Sequence, residues 1–229
     1  MPFRLPAWSV TTWLIVINVA VFVADRFLII LTGRPLLTLL GAFSAWTAVD
    51  HLQIWRFLTF QFLHASLGHI FFNMLGLYFF GPLIEGYLGS RRFLAFYLLC
   101  GMSGAAAYML MLHAGILIDA PWVPLVGASA GIFGILIAAA RVAPDARVML
   151  LFPPIPMRLR TLAWVLLGIA IFTILANGSN AGGQAAHLGG AALGALLIAH
   201  PRWLDAFNFR WPRRPRFRSP EWYQDSYRG

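Results

Sequence analysis

The chain has 229 residues, of which 60% are hydrophobic and 11% are charged, and its formal net charge is +9. Soluble domains carry about 25% charged residues. The low charge and the long apolar runs therefore exclude an ordinary soluble domain and predict one polytopic membrane domain. The single cysteine, Cys100, excludes an internal disulfide framework and a cysteine-based metal site.

Six apolar runs predict six transmembrane helices, so the predicted fold class is an all-α membrane protein with a six-helix bundle. The runs cover residues 8–24, 69–88, 93–112, 127–140, 162–176 and 185–199, and an extension of the first run to residue 31 is left open. The segment 32–65 is then a long outer loop, and its many apolar residues predict that it lies partly in the bilayer interface. The predicted membrane domain is 9–200, after a short cytoplasmic N-terminus of residues 1–8.

The arginines predict the orientation of the bundle. Every basic residue other than histidine is Arg, and most of them separate the second run from the third, separate the fourth from the fifth, or follow the sixth. Only Arg34 and Arg56 lie in the outer loop. This bias predicts a multi-pass protein of the cell (inner) membrane with both termini in the cytoplasm.

The tail 201–229 is rich in Arg, Pro and Trp. We interpret it as a disordered cytoplasmic segment that faces the lipid bilayer. No nucleic-acid-binding motif accompanies its positive charge, so no nucleic-acid partner is expected.

Ser129 is the candidate nucleophile. It lies in a G-x-S-x-G motif from Gly127 to Gly131. The same pattern marks the nucleophile elbow of α/β-hydrolases, but that elbow needs a soluble strand–turn–helix unit. Here the motif opens a membrane helix that ends near Arg141, which predicts Ser129 on the order of 10 Å below the outer face of a ~30 Å hydrocarbon core. The prolines before Ser129 disfavour regular helix, and irregular backbone at that depth predicts a submerged polar cavity.

His187, at the start of the sixth run, is the candidate general base. A histidine within a membrane span is a functional candidate, although a helix-end histidine at the interface is the alternative interpretation. Gly190 and Gly194 form a G-x-x-x-G pair on the same run. Small residues let membrane helices approach closely, as a hydrogen bond between Ser129 and His187 would require.

His69 and Asn73 are candidate donors to an oxyanion. They are spaced i, i+4 and so share one face of the second predicted helix. Two alternatives stay open, namely a pair of interface residues and a metal site that also uses His64. Glu85 lies about three turns further along the helix, too far from Ser129 for catalysis, and a structural hydrogen-bonding role is expected for it. The residues therefore predict a Ser–His dyad without an acid, a metal or a cofactor.

In combination these motifs resemble the rhomboid intramembrane proteases. The resemblance rests on G-A-S-A-G opening the fourth run, A-H-x-x-G-x-x-x-G in the sixth, H-x-x-x-x-H-x-x-x-N at the second and the Trp55-Arg56 pair. It covers about residues 55–199 and implies Ser129 as the nucleophile and His187 as the base. It further implies that His69, Asn73 and the Ser129 backbone N–H bind the oxyanion.

The resemblance also implies supporting roles. Gly127 would shape the turn before the nucleophile, and Phe133, where some members carry Tyr, would pack on the His187 ring. The expected function is an intramembrane serine endopeptidase that cleaves transmembrane or juxtamembrane segments of membrane proteins. Its expected partners are substrates with helix-destabilised transmembrane segments, cut after a small residue, and the lipid bilayer.

Two other functions compete with this one. The alternative is a non-catalytic rhomboid-like adaptor that binds membrane proteins, which would not need Ser129 or His187. A transporter or channel would also contain a submerged polar cavity. The sequence has neither an inverted repeat nor a row of ionisable groups through the inner half of its spans, which disfavours transport.

Overall fold

The chain is mostly helical over the residues that the computed structural model describes, 8–149 and 154–207. The predicted N-terminus, apart from Trp8, and the predicted tail beyond residue 207 lie outside the described residues. The prediction of a disordered tail is wrong for its start, because Pro201–Phe207 is a 3₁₀ helix with Leu204 fully buried and Asp205 paired with Arg92. The helices are α1 (Val10–Thr32), α2 (Leu36–Gly41), α3 (Arg56–Thr59), α4 (Leu67–Leu88), α5 (Ser90–His113), α6 (Ser129–Val142), α7 (Leu159–Leu175) and α8 (Ala181–Ala199).

Four of these helices, α1, α4, α5 and α8, are long and apolar enough to cross a membrane. Two shorter apolar helices, α6 and α7, accompany them, so the chain is a multi-pass membrane protein. The 14 residues of α6 reach roughly 21 Å at 1.5 Å per residue, less than the ~30 Å core of a bilayer. An irregular segment before Ser129 must therefore cover the remaining depth if the chain crosses the membrane there.

The first helix includes the extension that the sequence left open. It continues through Asp25 to Thr32. The helix can include Asp25 because the carboxylate is buried and both of its oxygens accept hydrogen bonds. Asp25 accepts hydrogen bonds from the Leu37 backbone N–H (2.8 Å) and the Thr38 hydroxyl (2.6 Å), near the start of α2. A carboxylate is favourable at a helix N-terminus, where backbone N–H groups are unpaired.

The segment between α1 and α4 is a series of short helical turns: α2, a π-helical turn Trp46–Asp50, α3 and a 3₁₀ turn Phe60–Phe62. Arg56, an exception to the arginine bias, is 6% exposed within it. Its guanidinium donates to the backbone carbonyls of Leu39 (2.9 Å) and Ala42 (2.5 Å). Arg56 thus satisfies carbonyls at the end of α2, which explains an arginine on the predicted outer side.

The all-α prediction is incomplete, because α6 and α7 are joined by a β-hairpin. Strand β1 (Arg147–Met149) pairs antiparallel with β2 (Pro156–Arg158), with Val148 opposite Met157. Proline cannot continue a helix but fits the edge of a two-stranded sheet, so the proline-rich connection forms a hairpin instead of longer helices.

Glu85 has the structural role that the sequence predicted. Its carboxylate accepts from the Val10 and Thr11 backbone N–H groups at 2.8 and 2.9 Å, and from the Thr11 hydroxyl at 2.7 Å. It also accepts from the Ser90 hydroxyl at 2.7 Å. One side chain thereby caps the N-terminus of α1 and links it to the junction of α4 and α5.

Helix α8 packs against α5, α6 and α7 and lies at the centre of the bundle. On the side toward α6, Gly190 and Gly194 face the α6 backbone. A β-carbon on Gly194 would lie 2.5 Å from the Gly134 Cα, and one on Gly190 would overlap the Ala130 carbonyl oxygen. The two backbones are in contact because neither glycine has a side chain.

We predict that Gly194→Ala destabilises the protein. The added methyl group must push α6 and α8 apart, and overpacking of this kind typically costs about 1–3 kcal/mol. Gly168 on α7 is the matched control, because a β-carbon there meets nothing within 4 Å. Gly168→Ala should leave stability unchanged or raise it, since alanine favours helix over glycine by about 1 kcal/mol. Thermal unfolding in detergent, followed by circular dichroism, measures both. Equal melting temperatures for the two variants would contradict the packing argument.

Candidate active site

Ser129 is the first residue of α6, and the backbone before it is held by the segment between α1 and α4. Leu125 pairs with Phe43 in an isolated antiparallel bridge, and the Gly127 N–H donates to the Phe60 carbonyl at 3.0 Å. Gly127 has a φ of +129°, a conformation that side chains disfavour. This turn directs the chain from the extended segment into the helix that begins with Ser129.

The absence of a side chain at Gly127 also keeps the space beside Ser129 open. A β-carbon built there would lie 2.7 Å from Nε2 of His69 and 3.6 Å from Oγ of Ser129. Because residue 127 has no side chain, the space between the His69 ring and the serine hydroxyl stays open.

Ser129 and His187 are joined by a hydrogen bond, although they come from α6 and α8. The distance between Oγ of Ser129 and Nε2 of His187 is 2.8 Å. The Phe133 ring, one turn after Ser129, stacks on the His187 ring with centroids 4.1 Å apart and planes 10° from parallel. The imidazole is thus held on its face and at Nε2. Such a pair can remove a proton from the hydroxyl as it attacks an electrophile.

His69 and Asn73 line the same cavity as Ser129 and His187. His69 lies in the first turn of α4, where its backbone N–H donates to the capping Ser66 hydroxyl at 3.2 Å. Asn73 is 7% exposed, and within the described residues its side-chain Nδ2 has no hydrogen-bond partner. A buried amide donor without a partner is unusual and is available to an oxygen atom of a ligand.

The start of α6 supplies another donor. Within 8–149 and 154–207, no backbone carbonyl accepts a hydrogen bond from the Ser129 N–H. The first N–H groups of a helix are unpaired by geometry, and they carry a partial positive charge. The site can therefore place hydrogen-bond donors around a negatively charged oxygen next to Ser129.

His64 lies behind His69 and is not part of the cavity wall. The two rings meet edge to face with centroids 5.1 Å apart. Burial, and the nearby His69 ring to a smaller extent, lower the pKa of His64 to about 3, so His64 is neutral at pH 7. In the part of the chain that the structure describes, no group of three or more His, Cys, Asp or Glu side chains is positioned to hold a metal ion.

The cavity has a volume of about 1310 Å³ and one polar end. That end contains the residues already described and the amides of Asn180 and Gln184. The cavity continues between α4 and α7 toward the β-hairpin, with walls that are largely apolar. Residues of this part include Phe72, Gly76, Phe79, Leu162, Leu166 and Met149. The cavity is long enough to extend from Ser129 to the connection between α6 and α7.

Gln184 is a site residue that the sequence analysis did not identify. Its Oε1 lies 3.0 Å from Nδ1 of His187, on the opposite side of the ring from Ser129. The available signal was its spacing, because residues i and i+3 on a helix are neighbours. The sequence predicted a dyad without an acid and gave no role to a neutral amide.

A rhomboid domain matches residues 51–201 of the chain, which is more than half of its length. The chain belongs to the rhomboid family. It is similar to RHOMBOID-like protein 12, mitochondrial, of Arabidopsis thaliana, with 35% identity over 157 residues, 63% of this chain and 46% of the relative. It is also similar to rhomboid protease GluP of Bacillus subtilis (strain 168), with 34% identity over 150 residues, 63% of this chain and 25% of the relative.

This rhomboid chain spans less than half the length of those two relatives. Among other similar proteins, one is named a protease and another is named inactive. Rhomboid-like protease 3 of Toxoplasma gondii is 36% identical over 100 residues, covering 44% of this chain and 35% of its own length. Inactive RHOMBOID-like protein 8 of Arabidopsis thaliana is 29% identical over 97 residues, covering 42% and 25%. Similar proteins therefore include both a named protease and a named inactive protein, so family membership alone does not determine activity.

Proposed function

We propose that this chain is an intramembrane serine endopeptidase, with Ser129 as the nucleophile and His187 as the general base. The observation that carries the proposal is the 2.8 Å hydrogen bond between Oγ of Ser129 and Nε2 of His187. It is made in a cavity that also contains the unpaired amide donor of Asn73. A nucleophile, a base and an unused donor are the parts that acyl transfer requires.

The reaction follows from these positions. As Oγ of Ser129 attacks the carbonyl carbon of the substrate, Nε2 of His187 removes the hydroxyl proton, and the carbonyl oxygen becomes an oxyanion. The C–N bond then breaks, and His187 gives the proton to the departing amine, which leaves an acyl-enzyme ester. A water molecule, deprotonated by His187, attacks this ester. Collapse of the second intermediate releases the carboxyl product, and the proton returns to Ser129.

The oxyanion would be bound by three donors: the Asn73 amide, the His69 ring and the Ser129 backbone N–H. The geometry at Gly127 supports this assignment, because the missing side chain leaves room for an oxygen between His69 and Ser129. Donors fixed in advance in a water-poor cavity stabilise developing charge without having to reorganise.

We infer a six-span topology in the cell membrane, with both termini in the cytoplasm. The arginines support it, since Arg141, Arg147, Arg158 and Arg160 all follow the catalytic end of α6 and precede the body of α7. On this topology Ser129 faces the outer half of the membrane, at the opposite end of α6 from Arg141.

The dyad predicts that Ser129→Ala abolishes cleavage, because no other group in the site would supply the nucleophile. The assay is turnover of a single-span substrate in proteoliposomes, together with labelling by a fluorophosphonate probe. Ser103→Ala is the matched control. The Ser103 hydroxyl donates to the Gly189 carbonyl at 3.0 Å, so this variant also removes a serine hydroxyl next to α8 but does not touch the dyad. Labelling of wild type and not of Ser129→Ala would also exclude a non-catalytic adaptor, and substantial turnover by purified Ser129→Ala would refute the proposal.

The oxyanion site predicts partial losses of activity. Asn73→Ala and His69→Ala should each lower kcat about a hundredfold, since one preorganised donor is typically worth about 3 kcal/mol. Both losses should be smaller than that of Ser129→Ala. A chelator should have no effect on the wild type. Inactivation by a chelator, followed by rescue with zinc, would support the metal site instead.

The position of the cavity limits the substrates. A peptide bond in a transmembrane helix is hydrogen-bonded and shielded, and breaking its hydrogen bonds in lipid is costly because no water replaces them. In the cavity, the polar groups around Ser129 offer replacement partners. We therefore propose substrates whose transmembrane helices unwind easily near their outer ends, with a small residue before the cut.

This selection rule can be tested with two single-span proteins that carry the same cut site. One has Gly-Ala or Pro in the outer half of its span, and the other has a uniform Leu helix. The first should be cleaved faster, because Gly and Pro lower helix stability by about 1 and 3 kcal/mol relative to Ala. Cleavage of both at one rate would show that unwinding does not govern selection.

A further inference from the structure

The His187 imidazole has a contact on each of its two nitrogens. Nε2 meets the Ser129 hydroxyl, and Nδ1 meets the side-chain oxygen of Gln184 at 3.0 Å. Gln184 lies one turn before His187 on α8, and both side chains are half-buried in the wall of the cavity. The three side chains form a continuous hydrogen-bonded chain from an amide to a hydroxyl.

The hydrogen bonds between Gln184, His187 and Ser129 select one of the two forms of the neutral imidazole. A neutral histidine has one N–H and one bare nitrogen. To accept the proton of Ser129, Nε2 must be bare, so the hydrogen must be on Nδ1 and needs an acceptor. The Gln184 Oε1 is that acceptor. If the amide were turned over, its NH₂ group would donate to Nδ1 and leave the hydrogen on Nε2, where His187 could not act as a base.

The surroundings of the ring strengthen this assignment. Phe133 stacks on the flat face of His187 and resists tilting of the ring, but it cannot prevent a half-turn flip that keeps the ring in the plane of the stack and would put ring carbons where the two nitrogens lie. A hydrogen bond at Nδ1 resists such a flip. Together with the Ser129 contact at Nε2, Gln184 therefore supplies a restraint that the stacking cannot supply.

A neutral amide also suits a site in a membrane. A carboxylate at this position would have to be desolvated, and an unpaired buried charge is costly. An amide orients the ring and stabilises the imidazolium through its dipole, without that cost.

We propose that Gln184 is a positioning residue that holds His187 in the Nδ1–H form with Nε2 directed at Ser129. This inference rests on the proposed function. It adds Gln184 to the dyad as a third, uncharged residue. Gln184 acts through His187 and not on the substrate.

The first test measures the imidazole directly and needs no activity. Nitrogen-15 spectra of histidine-labelled protein in micelles distinguish the two neutral forms, and His187→Ala identifies the His187 signals. Wild type should show the hydrogen on Nδ1. Gln184→Met, which keeps the length of the side chain and removes the acceptor, should show a mixture of both forms. A wild-type signal with the hydrogen on Nε2, or a spectrum unchanged in Gln184→Met, would overturn the proposal.

The second test separates positioning from substrate binding. Gln184→Met should lower kcat about tenfold, the value of one net hydrogen bond, with little change in KM. Gln184→Glu keeps an acceptor oxygen at this position and should hold kcat well above that of Gln184→Met. Ser103→Ala is again the control, because it removes a hydrogen bond to α8 without touching His187.

The outcomes distinguish this inference from the proposed function. If wild type turns over substrate while Gln184→Met keeps its full kcat, or raises KM alone, the positioning role is wrong and the dyad stands. A folded Gln184→Glu that is as slow as Gln184→Met would also overturn the positioning role. Failure of wild type to react with substrate or probe would instead refute the protease itself.

Discussion

The contact between the backbones of α6 and α8 is the constraint on which the site depends. Helices in lipid gain little from burying apolar surface against one another, so they associate where small residues let backbones touch. Gly190 and Gly194 provide that contact, against Ala130 and Gly134 of α6. Only because the helix axes are so close can the Ser129 hydroxyl reach the His187 ring at 2.8 Å. One added methyl group at this crossing would therefore affect stability and the candidate dyad together.

Two contrasting cases stand out among the buried polar groups of the described residues. Three buried charged side chains have structural roles: Glu85, Asp25 and Arg56. Each forms hydrogen bonds with backbone groups at the end of a helix and fixes how the chain enters the bundle. The Nδ2 group of Asn73 is the opposite case, since it is buried in the cavity wall and unpaired within the described residues. A donor left unpaired costs free energy in the resting protein and becomes useful only when an oxygen arrives. This contrast supports a catalytic role for the cavity.

The proposed series of Gln184, His187 and Ser129 carries no fixed negative charge. His187 lies between a hydroxyl and an amide, and its face is covered by the Phe133 ring. In water-soluble serine proteases a buried Asp orients the histidine. In a membrane cavity the same orientation can come from a neutral acceptor and an aromatic ring, which avoids the desolvation of a carboxylate. The orientation of the imidazole would then depend on geometry more than on charge.

The sequence by itself determined the membrane class, the family and the candidate residues, because these follow from local patterns. Apolar runs, the G-x-S-x-G motif, the i, i+4 pair of His69 and Asn73 and the spacing of Gly190 and Gly194 are all visible without a fold. A structural hydrogen-bonding role for Glu85 was also predicted, because Glu85 lies too far along its helix from Ser129 for catalysis, but the groups that it caps are known only from the structure. Only the tertiary structure decided that α1 continues past Asp25, that α6 and α7 are joined by a β-hairpin and that Gln184 contacts His187. Those outcomes depend on groups distant in sequence or on one rotamer among several, and hydrophobic periodicity carries no information about either.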